Sequence, residues 1–235
     1  MTNNKRKQTL LDQIENGLIV SCQARKGWPM YGSNIMAAFA KAASEGGAVG
    51  IRANEPQNII AIKNTVDLPI IGLYKQWHSD YEVYITPTFE SAVEVIQAGA
   101  DIVAIDGTAR KRPNNETFPT IVQKLKAEYP NVLIMADIST LEEAKDAERI
   151  GVDLISTTLS GYTEQTKHIE NADFTLLEKL VHQLHTPIVA EGRIHTQQEA
   201  KRALELGVHS VVVGTAITRP EVITRWFVEE IKSIS

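Results

Sequence analysis

Short apolar runs recur along the chain from Gly17 onward, each bounded by turn residues and followed by a stretch with helical spacing of apolar positions. GLIVSCQ (17–23), AVGIRAN (48–54), PIIGLYK (69–75) and NVLIMAD (131–137) are the clearest, and further runs start near 101, 153, 187 and 210. Continuous apolar runs of this length, without strict alternation, fit parallel strands buried on both faces. The helical stretches include 33–43, 56–66, 118–129, 140–149 and 175–185. The same punctuation repeats in the second half: Gln97–Asp101, Arg149–Asp153 and Glu205–His209 each read as a helix end, a capping glycine and the entry to an apolar strand. Eight strands, each followed by a helix, predict an α/β chain folded as a single (β/α)8 TIM barrel over 1–235, since open doubly wound sheets usually carry fewer strands. Residues 1–16 read as a polar tail and a short helix whose Leu10, Leu11 and Ile14 cover one end of the barrel.

The 235 residues, 43% of them hydrophobic, are enough for one well-buried domain of barrel size. A balance of 24 Lys plus Arg against 29 Asp plus Glu gives a net charge of -5 and no basic field for nucleic acid. No apolar run approaches the roughly 18 residues of a membrane span, and Met1–Gln13 lacks the apolar centre of a signal peptide, so a cytoplasmic protein without a membrane partner is expected. The single cysteine, Cys22, permits no intramolecular disulfide and reads as a small buried residue.

In a barrel of this kind the active face is the rim at the C-terminal ends of the strands. There the chain delivers Gln23, Arg52, Lys75, Asp106, Asp137, Glu191 and Arg219, a concentration of charge that solvation alone does not explain. Gly192 and Gly214 follow the last two strands, where paired glycine turns offer backbone N–H groups to a phosphate. Asp106 is the weakest of the set, because its carboxylate can simply fix the loop through Arg110 or Arg112. Arg110–Lys111–Arg112 reads as a solvated loop or an interface, and His182 and His185 as a surface pair far from the rim. No strand end presents a histidine with a carboxylate at ligand spacing, so no catalytic metal is expected; no G-x-G-x-x-G turn follows a strand either. Two connections are long: Gln76–Pro87, and the hydroxyl-rich Thr157–Asp173, which reads either as a lid over a sugar or as a mobile loop.

The blocks LIVSCQ, GIRAN, PIIGLYK, DGTARKRP, MADIST, STTLSGYT, PIVAEGRI and VVVGTAITRP, in this order over essentially the whole chain, resemble the N-acetylmannosamine-6-phosphate 2-epimerases of sialic-acid degradation. The resemblance implies an enzyme that inverts C2 between N-acetylmannosamine 6-phosphate and N-acetylglucosamine 6-phosphate. It implies Lys75 and Glu191 as catalytic groups, Gln23, Arg52, Asp137 and Arg219 as substrate contacts, and the phosphate on backbone around Gly192, Arg193, Gly214 and Thr215. Gln76–Trp77–His78 departs from the family pattern just after the lysine. The implied reaction needs no cofactor, since nothing is oxidised overall. A base must remove the C2 proton once the sugar is open, and Arg52 near a partly buried Lys75 would lower the lysine pKa in the right direction.

Two other classes share these features. A Schiff-base aldolase would use the same strand-end lysine and is separated by borohydride trapping; a non-catalytic phosphosugar sensor would keep the glycine turns without needing both Lys75 and Glu191. The family resemblance and the apolar positions Val222, Ile223, Trp226, Phe227 and Ile231 of the last helix suggest a homodimer, the alternative being that this stripe packs on its own barrel.

Overall fold

The computed structural model describes residues 3–234, and the start of the expected polar tail, residues 1–2, lies outside them. The strands are β1 (Gly17–Cys22), β2 (Gly50–Asn54), β3 (Ile70–Leu73), β4 (Ile102–Asp106), β5 (Leu133–Asp137), β6 (Leu154–Ser156), β7 (Ile188–Glu191) and β8 (Ser210–Val213). The helices are α1 (Asn3–Ile14), α2 (Ser33–Glu45), α3 (Pro56–Lys63), α4 (Phe89–Gln97), α5 (Phe118–Glu128), α6 (Leu141–Ile150), α7 (Phe174–Gln183), α8 (Gln197–Glu205), α9 (Thr215–Thr218) and α10 (Pro220–Lys232). The strands pair in sequence order, all parallel, and β8 closes on β1, which makes the expected (β/α)8 barrel.

Alternation sorts the strand residues between two cores. Val20, Ile51, Ala53, Val103, Ile105, Ile134, Ala136 and Val211 face outward into the layer shared with the helices. Ile19, Ile71, Leu73, Ile102, Ala104, Leu133, Met135, Leu154, Val189 and Val212 fill the interior, and Leu10 and Ile14 of α1 join them, so this helix plugs the N-terminal end as its spacing predicts. The inward parity then continues into chemistry at the other end: Asp106 pairs with Asp137, Asp137 with Ser156, and Ser21 with Arg52 in the strand register.

Local sequence fixes where helices begin and end. Thr88, Thr117, Thr140 and Thr196 each open a helix through a reciprocal capping box, and Asp173 caps α7. Gly151, in the left-handed region at φ 81°, ends α6 and turns the chain toward β6. No helix among the described residues is long and apolar enough to cross a membrane.

Candidate active site

The C-terminal mouth holds a cavity of about 430 Å³ whose lining includes Gln23, Asn54, Lys75, Thr158, Glu191, Gly192, Gly214 and Arg219. Its floor is a charge cluster. Arg52 Nη2 donates to Asp137 Oδ2 at 2.5 Å and Nη1 lies 3.1 Å from Glu191 Oε2, so one guanidinium serves two carboxylates. The sequence places Arg52 at the rim, but it stands in the middle of β2 and is fully buried, with Asn54 as the strand's last residue. Its guanidinium reaches β5 and β7 inside the barrel, so Arg52 and the fully buried Asp137 lie beneath the cavity rather than among its lining residues.

Thr158, absent from the sequence-based set, joins the same cluster. Its hydroxyl lies 2.9 Å from Asp137 Oδ1, 3.1 Å from Glu191 Oε2 and 2.8 Å from Ser156 Oγ. Thr157 Oγ1 fixes the backbone of Glu191 from the other side, accepting from its N–H at 3.0 Å and donating to its carbonyl at 2.8 Å. Burial raises the Glu191 carboxyl above the usual range and neighbouring Asp137 raises it further, against the pull of Arg52. Burial likewise raises Asp137, opposed by Arg52.

Lys75 lies two residues beyond β3 on the parity of Ile71 and Leu73, and is half-buried. Its backbone N–H donates to Asn54 Oδ1 at 2.8 Å, and the same residue bridges to Ile85, so both flanks of the loop hold it. Burial lowers its pKa from 10.5 to about 8, Arg52 adding to the fall while Glu191 opposes it. The site thus contains an amine that gives up its proton more readily than an ordinary lysine and a carboxyl that holds its proton more tightly than an ordinary glutamate.

Gly192 adopts φ 110° and Arg193 φ 55°, a left-handed turn that a β-branched residue at Gly192 would strain. The Arg193 guanidinium bonds the carbonyls of Ser160 at 2.7 Å and Gly161 at 3.0 Å and lies 4.1 Å over the Tyr162 ring, bracing the loop after β6. Gly214 packs against β1: a Cβ there would stand 3.2 Å from the Ser21 Cβ. It precedes Thr215 at the start of α9, whose first N–H groups have no acceptor within the helix.

Five side chains from three loops stack along the rim. Arg219 lies 3.9 Å over Trp28, Arg25 lies 5.5 Å from Trp28 and 5.1 Å from Trp77, and Trp77 stacks on Tyr84 at 5.7 Å. Arg219 is also held by Glu221 at 2.8 Å. Gln23 donates to Ser21 Oγ at 2.9 Å, while its buried Oε1 has no hydrogen-bond partner among the described residues.

Other sequence expectations resolve away from the cavity. Asp106 accepts from Arg110 at 2.7 Å and from the Thr108 backbone at 2.9 Å, so it fixes the loop after β4. Of the three basic residues there, Lys111 is exposed, but Arg112 is buried, donating to the carbonyls of Asp106 and Thr108; the expectation of a solvated loop fails for this residue. His182 is exposed on the last turn of α7, His185 is exposed just beyond that helix, and Cys22 is buried. The 157–173 loop is pinned by Ser160 to Asp173 at 2.7 Å and Thr163 to Ser139 at 3.1 Å, while Thr158 and Tyr162 line the cavity. Among the described residues no group of three His, Cys, Asp or Glu side chains could hold a metal ion.

Comparison with known proteins follows the same lines. Residues 36–233 match the family model described as "Putative N-acetylmannosamine-6-phosphate epimerase". Curated relatives named "Putative N-acetylmannosamine-6-phosphate 2-epimerase" include one from Caldanaerobacter subterraneus subsp. tengcongensis, 54% identical with 95% of this chain and 94% of the relative covered. Another, from Clostridioides difficile, is 49% identical with 95% and 99% covered. The solved N-acetylmannosamine-6-phosphate 2-epimerase from Clostridium perfringens is 47% identical, superposes with a TM-score of 0.91, and is covered over 94% of this chain and 95% of its own. A thiamine phosphate pyrophosphorylase from Pyrococcus furiosus, 21% identical with a TM-score of 0.59 and 94% and 98% covered, shares the fold alone. With the family model matching most of the chain and relatives near half identity over nearly its full length, the chain belongs to the N-acetylmannosamine-6-phosphate 2-epimerase family.

Proposed function

We propose that the barrel mouth inverts C2 of an N-acetylated amino sugar 6-phosphate, interconverting N-acetylmannosamine 6-phosphate and N-acetylglucosamine 6-phosphate in the breakdown of sialic acid. The observation that carries this reading is that Lys75, lowered to about 8, and Glu191, raised by burial, line one cavity in a member of this family. C2–H is acidic only when C1 is an aldehyde. Glu191 passes a proton at the ring and C1 oxygens, which favours the open chain, and neutral Lys75 removes the proton from C2. The enolate that results carries negative charge on the C1 oxygen, which Arg52, fixed beneath Glu191, stabilises without reorganising, and return of a proton to the opposite face of C2, from Lys75 or Glu191, completes the inversion. Asp137 holds Arg52 in place, and Gln23 and Arg219 face the sugar from the rim. Arg52 supplies the cation that the two carboxylates need, and nothing is oxidised overall, so the chemistry calls for no cofactor. Incubating the pure protein with either sugar phosphate tests the reading: the other epimer is expected to accumulate.

The 6-phosphate rests on backbone N–H groups around Gly192, Arg193, Gly214 and Thr215. Substituting Val at Gly192 would force a β-branched residue to φ 110°, and Val at Gly214 would push against Ser21. Each change is expected to raise the apparent substrate constant by roughly 10- to 100-fold, the value of hydrogen bonds to a charged group. Calorimetry that finds sugar-phosphate affinity unchanged in both variants would place the phosphate elsewhere.

The active form is a homodimer built on α10. No residue of this helix is buried: Val222, Ile223 and Trp226 are half-buried, Trp226 against His195, while Phe227 and Ile231 are 68% and 66% exposed and leave apolar surface that packing on its own barrel does not cover. Light scattering at micromolar concentration should give twice the chain mass, and Phe227→Glu combined with Ile231→Glu should halve it; a monomeric wild type rejects the dimer.

A further inference from the structure

Thr158 Oγ1 lies between the buried Asp137 and the partly buried Glu191 carboxylates, 2.9 Å from Asp137 Oδ1 and 3.1 Å from Glu191 Oε2. A threonine hydroxyl has one proton to donate. If both carboxylates were ionised, one of them would face a lone pair of Thr158 at hydrogen-bond distance, an unfavourable contact in a low-dielectric site. Ser156 does not relieve it: its oxygen is 3.5 Å from Glu191 Oε2, at the limit of a hydrogen bond, and 2.8 Å from Thr158 itself. A proton resident on one carboxyl removes the conflict, because Thr158 then accepts from that group and donates to the other.

The two carboxyls are not equivalent. Asp137 is fully buried beneath the cavity and has Arg52 at 2.5 Å on its second oxygen. Glu191 is farther from Arg52, at 3.1 Å, and opens to the cavity with its side chain 12% exposed. The resident proton therefore belongs to Glu191.

We propose that Thr158 is a positioning residue that orients the Glu191 proton in the resting site, accepting the Glu191 O–H while donating its own to Asp137, and that it stabilises Glu191 once its proton has gone to the sugar. The inference rests on the reading of Glu191 as the acid in the epimerisation. When the carboxyl proton turns from Thr158 to a substrate oxygen, one O–H bond breaks at Glu191 and one forms on the sugar. The Thr158 hydroxyl then rotates its proton from Asp137 to the new Glu191 carboxylate, leaving Arg52 to balance Asp137. The reverse rotation accompanies proton return, and no heavy atom has to move. The charged groups facing Glu191 are Arg52 from β2, Asp137 from β5 and Lys75 beyond β3. Burial also favours a proton on Glu191, in the same direction as the hydrogen-bond count.

Infrared spectra of the ligand-free protein near neutral pH are expected to show the carbonyl stretch of a protonated carboxyl, and Glu191→Gln should abolish it. In Thr158→Val the band should persist to higher pH than in the wild type, because the ionised Glu191 has lost a donor. The same variant should lose roughly 10- to 100-fold in kcat, the value of a hydrogen bond to a charged group, with KM nearly unchanged, and Thr158→Ser should restore most of the loss. Absence of a Glu191-dependent band in the wild type, an unchanged kcat in Thr158→Val, or a Thr158→Ser protein as slow as Thr158→Val would each overturn the proposal. The wild-type band decides even if Thr158→Val does not fold. Because that band is read without substrate, a protein that shows it yet fails to interconvert the sugar phosphates would refute the proposed reaction and leave the proton arrangement standing.

Discussion

Replacing Lys75 by Met is expected to lower turnover by a factor of about 10² to 10⁴, the range usual for loss of a general acid or base. Met keeps the length and the apolar stem of the side chain while removing the nitrogen that takes the C2 proton. The loop should survive the change, because Asn54 is bonded to the backbone N–H of residue 75 and not to the side chain. Sugar-phosphate binding should therefore persist. In heavy water the wild type is expected to place solvent deuterium at C2, and the Lys75→Met protein should fail to exchange C2–H even in recovered substrate. Exchange is the sharper readout, since turnover also depends on ring opening at Glu191. The kcat/KM profile of the wild type should break at about pH 8 and not near the ordinary lysine value of 10.5. C2–H exchange at the wild-type rate in Lys75→Met would move the base elsewhere, with Glu191 the first candidate.

Arg52→Met should cost about 3 to 5 kcal/mol of stability near neutral pH, because removing one partner of a buried ionic cluster leaves its charges uncompensated. Arg52 is fully buried, and both Asp137 and Glu191 lose their shared cation. For a domain of this size that loss lowers Tm by on the order of 10 °C. The sign of the pH dependence follows from linkage. Both carboxyls already titrate above their ordinary values in the folded chain, and without Arg52 they rise further. A carboxyl raised on folding destabilises the native state increasingly as pH climbs above its unfolded value, until it passes the folded one. The Tm deficit of Arg52→Met should accordingly be small near pH 4, where protonated carboxyls need no cation, and grow toward pH 8. A deficit that is constant across this range would mean that packing, and not charge, is what Arg52 contributes.

Much of this site was legible from alternation. Because Ile71 and Leu73 point into the barrel, Lys75 follows on the same parity, and the continuous apolar runs placed Asp137 and Glu191 at inward strand ends. Arg52 was legible as a charge but not in depth: one strand read alone does not show that the guanidinium will cross to β5 and β7. Asn54 shares the inward parity of Arg52, yet the rim reading passed it over, and it is the residue that holds the Lys75 backbone. Thr158 lies beyond the end of β6, where alternation no longer applies, and its two carboxylate partners come from β5 and β7. Arg112 looked solvated because three adjacent basic residues usually are; it is buried because backbone carbonyls of its own loop need a donor, which no sequence pattern displays. The rim stack of Arg219, Trp28, Arg25, Trp77 and Tyr84 joins residues after β1, β3 and β8, so no local signal announced it.

The claim on which the rest depends is that this barrel moves a proton at C2 of an N-acetylhexosamine 6-phosphate. Nuclear magnetic resonance of N-acetylmannosamine 6-phosphate incubated with the purified protein in heavy water addresses it most directly. The expected result is growth of N-acetylglucosamine 6-phosphate signals with deuterium at C2; an unchanged substrate spectrum, or an epimer that forms without taking up solvent deuterium, would contradict the mechanism.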